Sequence, residues 1–131
     1  MKDASFHILR VGTAITFLWI AVLIFKNPAE WGSFLQPWAA DLLPVPLEQA
    51  MIGTAILDFL IGFFLLVDML VLVSSLLGAT HLLIVLITVG IDAVTVRDIG
   101  LLATTIALAF SAYPLHGKPS NLKELLKIIL R

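Results

Sequence analysis

Apolar residues in this chain fall into four long runs, interrupted by single polar residues rather than alternating with them. The runs cover about 6–25, 49–67, 69–91 and 96–113. Each approaches the twenty or so residues that a helix needs to cross about 30 Å of hydrocarbon. The clearest stretch is 50–91, AMIGTAILDFLIGFFLLVDMLVLVSSLLGATHLLIVLITVGI, two nearly continuous apolar segments that meet at Asp68. Read as a transmembrane hairpin turning at Asp68–Met69, it places Asp58 ten residues before the turn and His81 thirteen after it. At a rise of about 1.5 Å per residue, both fall about 15–20 Å from the same interface, close to the bilayer midplane.

The polar positions inside the runs recur at helical spacing. Thr54, Asp58 and Gly62 follow one another at i, i+4 and i+8, while Ser74, Gly78 and His81, with Thr88 further on, lie close to a common face of the next run. Narrow polar stripes of this kind belong inside a bundle, with Phe59, Leu60, Phe63, Phe64 and Leu66 on the greasy side. Gly100, Thr104, Ala107 and Ser111 share a face of the fourth run. In the first run, Gly12 and Thr16 have the small-xxx-small spacing that permits close helix contact.

Helix punctuation supports these boundaries. Ser5 is the expected N-cap of the first run, with Lys26 flanking its end. Thr95 and Asp98 have capping-box spacing at the start of the fourth, and Tyr113-Pro114 marks its far interface and stop. The segment 27–48, NPAEWGSFLQPWAADLLPVPLE, is not a span, because it holds four prolines and three acids. It opens with Asn27 as N-cap, Pro28 at the first helical position and Glu30 at the third. Trp31, Phe34, Leu35, Trp38, Leu42 and Leu43 then recur on one face, although Pro37 should break or kink the helix. Two readings stay open: short interfacial helices anchored by Trp31 and Trp38, or a lid over a cavity between the spans. The tail, 119–131, predicts an amphipathic helix capped by Asn121 and Glu124, with Leu122, Leu125, Leu126 and Ile129 opposite Lys123, Lys127 and Arg131.

The expected architecture is therefore all-α: a single transmembrane domain over 1–131, an integral membrane four-helix bundle with a short interfacial segment after span 1 and a C-terminal amphipathic helix. Composition agrees, with 60% hydrophobic and 13% charged residues, where soluble domains carry about 25% charged. The first run is followed by Phe25-Lys26-Asn27-Pro28 rather than a small-residue cleavage site, which makes it an expected anchor and not a removed signal peptide. Lys2, Arg10, Lys118, Lys123, Lys127 and Arg131 fall on the side of the termini, and Lys26 and Arg97 on the other. That bias places both termini of this multi-pass protein in the cytoplasm.

Charge and composition also narrow the chemistry. A net charge of −1 carries no nucleic-acid footprint. The absence of cysteine removes thiolate chemistry, Fe–S clusters and Cys-ligated zinc. One histidine and one aspartate are too few for a metal site, since His7 and His116 belong at the cytoplasmic ends. Asp58 either acts as a neutral packing device bonded to the next helix or handles a proton or a bound molecule. His81 either is a satisfied interior histidine or gives one ring N–H to Asp58 and turns its other nitrogen to a ligand. Arg97 and Asp98 are a positioned charge and a helix cap, or a contact for an anion or polar headgroup. Arg10 is expected to snorkel to the headgroups as a topology determinant, or else to wall the polar interior from the cytoplasmic side. Thr54 and Thr104 complete the interior polar candidates; Trp31, Trp38 and Tyr113 are the interfacial anchors.

The Arg10-x-Gly12 opening, the aromatic segment after span 1, the acid and small residues of span 2, and above all Arg97-Asp98-Ile99-Gly100-Leu101-Leu102 together resemble the DoxX/DoxD-like superfamily of small bacterial membrane proteins. The resemblance covers about 8–113. Asp58 stands where relatives usually carry glutamate. The resemblance implies a bacterial inner-membrane location and an accessory or quinone-proximal subunit of a redox system. It also implies a quinone or lipid as the bound lipophilic molecule, no intrinsic cofactor, and a redox partner subunit or a second copy beside the surrounding lipid. A small transporter or proton-coupled channel, and a purely structural membrane protein, are the other two expectations. Against the transporter stand the small cavity that four spans enclose and the lack of a visible inverted repeat.

Overall fold

The computed structural model describes residues 3–113 and 119–131; the expectations for Lys2, Pro114, His116 and Lys118 lie outside them. The described chain is all-α. It runs α1 (Ala4–Lys26), α2 (Pro28–Gly32), α3 (Pro37–Asp41), α4 (Leu47–Leu66), α5 (Val71–Val89), α6 (Val96–Ala112) and α7 (Leu122–Ile129). Of these, α1, α4 and α5 are long and apolar enough to cross a membrane. At 17 residues, α6 is about 25 Å long.

Local chemistry sets the ends. Asp3 rather than Ser5 caps α1, its carboxylate accepting from the Phe6 amide at 2.9 Å, where the positive end of the helix favours an anion. Asn27 precedes α2 without a capping bond of its own; its amide instead donates to Glu30 at 2.6 Å. The Thr95/Asp98 capping box does not form. The Thr95 hydroxyl donates to the Gly90 carbonyl at 2.6 Å and accepts from the Asp92 amide at 3.0 Å. It closes the 90–95 loop, and Asp98 is left to face inward. At α7 the expected cap does form, with Asn121 accepting from the Glu124 amide at 3.0 Å. The Glu124 carboxylate reaches the Ser120 amide, one residue upstream of the expected partner.

The bundle is built from two closely packed pairs. α1 lies on α4 and α5 lies on α6, while α1 and α6 meet sparsely. Phe17, Ile61, Leu65, Val71, Leu82 and Leu108 form the core. The closest backbone approach is at Gly62, where an added Cβ would stand 2.8 Å from the Leu18 side chain and 2.9 Å from the Ala14 carbonyl. Gly78 is the meeting point of all four long helices: a Cβ there would lie 3.1 Å from Phe17, 3.3 Å from Thr105 and 3.5 Å from Ile61. Gly12, by contrast, borders open space, and Thr16 bonds back to the Gly12 carbonyl. The expected small-residue contact of α1 is therefore absent, and Gly62 of α4 is where the backbones come together. On α6 the stripe of Gly100, Ala107 and Ser111 is exposed, and Asp98, Thr105, Leu108 and Ala109 face the core instead.

Arg10 is buried instead of snorkelling. Its guanidinium donates to the carbonyls of Leu65 and Leu66 at the end of α4. Its Nε stands 3.4 Å from Asp68 Oδ1, without the alignment of a hydrogen bond. His7 Nδ1 lies 3.4 Å from the same guanidinium. In the turn that follows, Asp68 and Leu70 both adopt left-handed backbone conformations, with φ of 58° and 52°.

Two stability predictions follow from this packing. Gly62→Leu should destabilise the protein by about 1–3 kcal/mol through overpacking, whereas Gly12→Ala should be neutral or stabilise by up to about 1 kcal/mol. Ser75 is fully buried and its hydroxyl has no hydrogen-bond partner among the described residues. Ser75→Ala should therefore raise stability by about 1 kcal/mol. Thermal unfolding of the three variants in one detergent checks the order; a Gly62→Leu midpoint at or above that of the parent would contradict the close α1–α4 seam.

Candidate functional site

The half of the bundle away from the Asp68 turn does not close. Beyond the Gly78 layer the helices diverge around a cavity of about 310 Å3, lined by α1, α4, α5 and α6 and covered by the α2–α3 segment. That volume is at the lower end of ligand pockets, about 300–1,000 Å3. Apolar side chains, among them Phe17, Ile20, Met51 and Leu82, make most of its wall.

The cover is tied down by one side chain. Gln36 donates its amide N–H to the Val89 carbonyl at 3.2 Å, and its backbone N–H bonds to the Thr88 carbonyl at 3.0 Å. It thereby occupies carbonyls that α5 leaves open at its C-terminal end. The Trp38 indole donates to Gln36 Oε1 at 2.6 Å and holds the amide in this orientation. Below, Gly32 sits against Leu47, so close that a Cβ would fall 2.8 Å from its Cγ. Between these two fixings, Trp31, Phe34 and Leu35 form the roof, with Trp31 and Phe34 edge to face at 6.0 Å. Of the two readings of 27–48, this is the lid. Trp31 is half-buried in the roof, whereas Trp38 and Tyr113 are exposed.

The ionisable residues of the two hairpin arms come together at the inner end. His81 Nε2 stands 3.2 Å from Asp58 Oδ1, and both side chains are largely buried. The contact is one of charge and proximity: Asp58 Oδ1 has no aligned hydrogen-bond donor among the described residues. Asp98 lines the same cavity from α6, 8% exposed, with no donor to its carboxylate among the described residues. Arg97 is exposed and stands at the rim. Asp58, His81 and Asp98 do not converge closely enough to hold a metal ion among the described residues. Thr54 also lines the cavity, donating its hydroxyl to Ala50 O at 3.1 Å. Thr104 does not. It lies in the α1–α6 seam, accepting from Thr13 Oγ1 at 3.3 Å. Arg10 is at the opposite end of the bundle and takes no part in this cavity.

Two residues of the site escaped sequence reasoning. Gln36 was hidden in an otherwise apolar SFLQPW run, where a lone amide was the available signal. Thr95 looked like a cap and instead closes the loop that carries Arg97 and Asp98. That loop is further fixed by Asp92, whose carboxylate accepts from the amides of Val94 at 2.7 Å and Thr95 at 2.9 Å. These backbone bonds, Thr95 first, hold the Asp92 carboxyl below its usual value of 3.8.

No family model matches the chain, and no curated protein or solved structure matches it either.

Two further predictions come from the lid and the loop. Gln36→Ala should leave the bundle folded but raise the rate of amide hydrogen exchange over residues 31–35, read by mass spectrometry. An unchanged rate would show that the α5 tether does not hold the lid. Since the folded Asp92 pKa is depressed, its contribution to stability is present above pH 3.8 and fades as pH falls below it. The thermal midpoint of Asp92→Asn should therefore lie below that of the parent at neutral pH and approach it on acidification.

Proposed function

We propose that the protein is a small multi-pass membrane protein that holds one lipophilic molecule in the cavity under α2–α3, as an accessory or quinone-proximal subunit of a membrane redox system. The observation that carries this reading is the joining of an apolar, lidded cavity with a buried acid–imidazole pair at its inner end. A carboxylate inside the membrane costs about 2.5–3.5 kcal/mol on insertion scales. Such a group beside unfilled space, 3.2 Å from a histidine, is poorly explained as packing alone. A packing device would seek an aligned hydrogen bond, and Asp58 Oδ1 has none among the described residues. The resemblance of the Arg97–Leu102 run to DoxX-like proteins supports the redox setting, and it stands on sequence motif.

In this reading α6 is a fourth span. Its length of about 25 Å approaches the thickness of thinner bilayers, about 27 Å, and exposed Tyr113 extends it to an aromatic belt. Both termini lie in the cytoplasm of a bacterial cell, with the lid on the outer side. The apolar face of α7, with Leu122, Leu125 and Leu126 exposed, rests on the inner leaflet. Its lysines face the anionic headgroups. Asp58 and His81 serve as hydrogen-bond and proton partners of the bound headgroup. Any electron carrier other than the quinone belongs to a partner protein.

Asp58→Asn and His81→Gln should each leave a folded, monodisperse protein in detergent while weakening the tighter-bound member of a short-tailed quinone/quinol pair at least about tenfold, as expected when a hydrogen bond to a charged group worth about 1.5–3 kcal/mol is lost. Isothermal titration together with thermal unfolding reads both quantities. Loss of thermal stability in both variants, with neither member of the pair bound by the parent, would favour the purely structural reading.

A further inference from the structure

The polar part of the cavity wall has a chemical bias. Each threonine that lines it has its hydroxyl hydrogen committed to a carbonyl of its own chain: Thr54 to Ala50 at 3.1 Å, Thr88 to Ile84 at 2.9 Å and Thr95 to Gly90 at 2.6 Å. None of these hydrogens is left for a ligand; the Thr54 and Thr88 oxygens can still accept, whereas that of Thr95 already accepts from the Asp92 amide. Asp58 and Asp98, when ionised, are acceptors only. His81 Nε2 stands 3.2 Å from Asp58 Oδ1 without an aligned hydrogen bond among the described residues, so its ring is a donor held beside the acid. The other donors, Arg97 and the Trp31 indole, belong to the rim and roof. The inner end of the cavity is thus rich in acceptors and poor in donors.

A second space adjoins the cavity. A groove of about 490 Å3 runs between α1 and α6 on the outside of the bundle, and Ile20, Arg97 and Asp98 border both groove and cavity. The groove is open because α1 and α6 touch sparsely and because Gly12 and Gly100, on its two walls, carry nothing within 4 Å of a Cβ position. Asp98 stands where the two spaces join, more than nine-tenths buried and without a hydrogen-bond donor among the described residues. Asp58 Oδ1, at the inner end of the cavity, is the buried carboxylate oxygen without an aligned donor among the described residues, and its burial is costly unless a ligand supplies one.

We infer that the ligand is a single-tailed amphiphile whose head carries hydrogen-bond donors, seated with its hydroxyls on Asp58 and Asp98 and its tail in the α1–α6 groove. This inference rests on the proposed function, and within it selects the reduced, dihydroxy form of a quinone-type molecule over the oxidised form, whose carbonyls only accept. The tail enters and leaves sideways from the bilayer, without passing the lid. A tenfold preference for the quinol would raise the midpoint potential of the bound couple by about 30 mV.

The test uses the full chain in lipid nanodiscs under argon and three probes: a benzoquinol with a ten-carbon tail, its quinone form, and the same benzoquinol without the tail. The parent protein should bind the tailed quinol at least about tenfold tighter than the tailed quinone. Gly100→Leu, whose side chain enters open space, should weaken the tailed quinol about tenfold while leaving the tailless one unchanged. Gly12→Leu, on the opposite wall, should do the same and serves if the first variant fails to fold. Equal or tighter binding of the quinone, or tailed binding indifferent to both leucines, overturns the inference and leaves the proposed function in place. Binding of no probe by the parent overturns both.

Discussion

Arg10 is the constraint on which the rest of this bundle depends. A guanidinium buried among apolar helices has to be met by acceptors, and the carbonyls of Leu65 and Leu66 at the end of α4 meet it. The negative end of the α4 dipole reinforces the contact. One side chain thereby fixes the start of α1, the end of α4 and the approach to the Asp68 turn. With α1 held on α4, and α6 held on α5, the fourth side of the bundle is left with one threonine–threonine bond across it. The tightness of one end and the openness of the other are two results of the same pairing.

The cavity follows from where the small residues lie. Gly62 brings the α1 and α4 backbones together, and Gly78 makes room for the side chains of Phe17, Ile61 and Thr105, around the middle of the bundle. Beyond them, toward the lid, the side chains are no longer small enough or numerous enough to fill the widening space. Asp58 and His81 lie at the boundary between the packed and unpacked regions. Both side chains line the cavity while remaining largely buried.

The long helices, and the similar heights of Asp58 and His81 along them, were legible in the sequence because hydropathy and helical rise alone determine both. Rotation was less legible. Asp58 and His81 share a depth on any reading, but their contact depends on how α4 and α5 turn about their axes, and that is set by packing at Gly62 and Gly78. The same limit explains the errors. Gly12 has the spacing of a contact residue, yet its helix turns the opposite face to α4. Arg10 resembles a snorkelling residue until its partners, some 55 positions away, are known. Thr95 has cap spacing, but the tight 90–95 loop draws its hydroxyl backward to Gly90. The roof role of Trp31 depends on Gln36 finding the end of α5, a tertiary contact that no local pattern encodes.

The turn between α4 and α5 has a wider consequence. Asp68 and Leu70 hold left-handed conformations without being glycine, which costs each of them about 1–2 kcal/mol relative to a relaxed loop. The strain fixes the phase of one helix against the other. Each residue added to a helix turns its face by about 100°, so a turn one residue longer or shorter would carry His81 away from Asp58 while leaving both at the right depth. Loop length here acts as an angular setting. Homologous chains that keep the acid and the imidazole should keep the number of residues between them as strictly as the residues themselves.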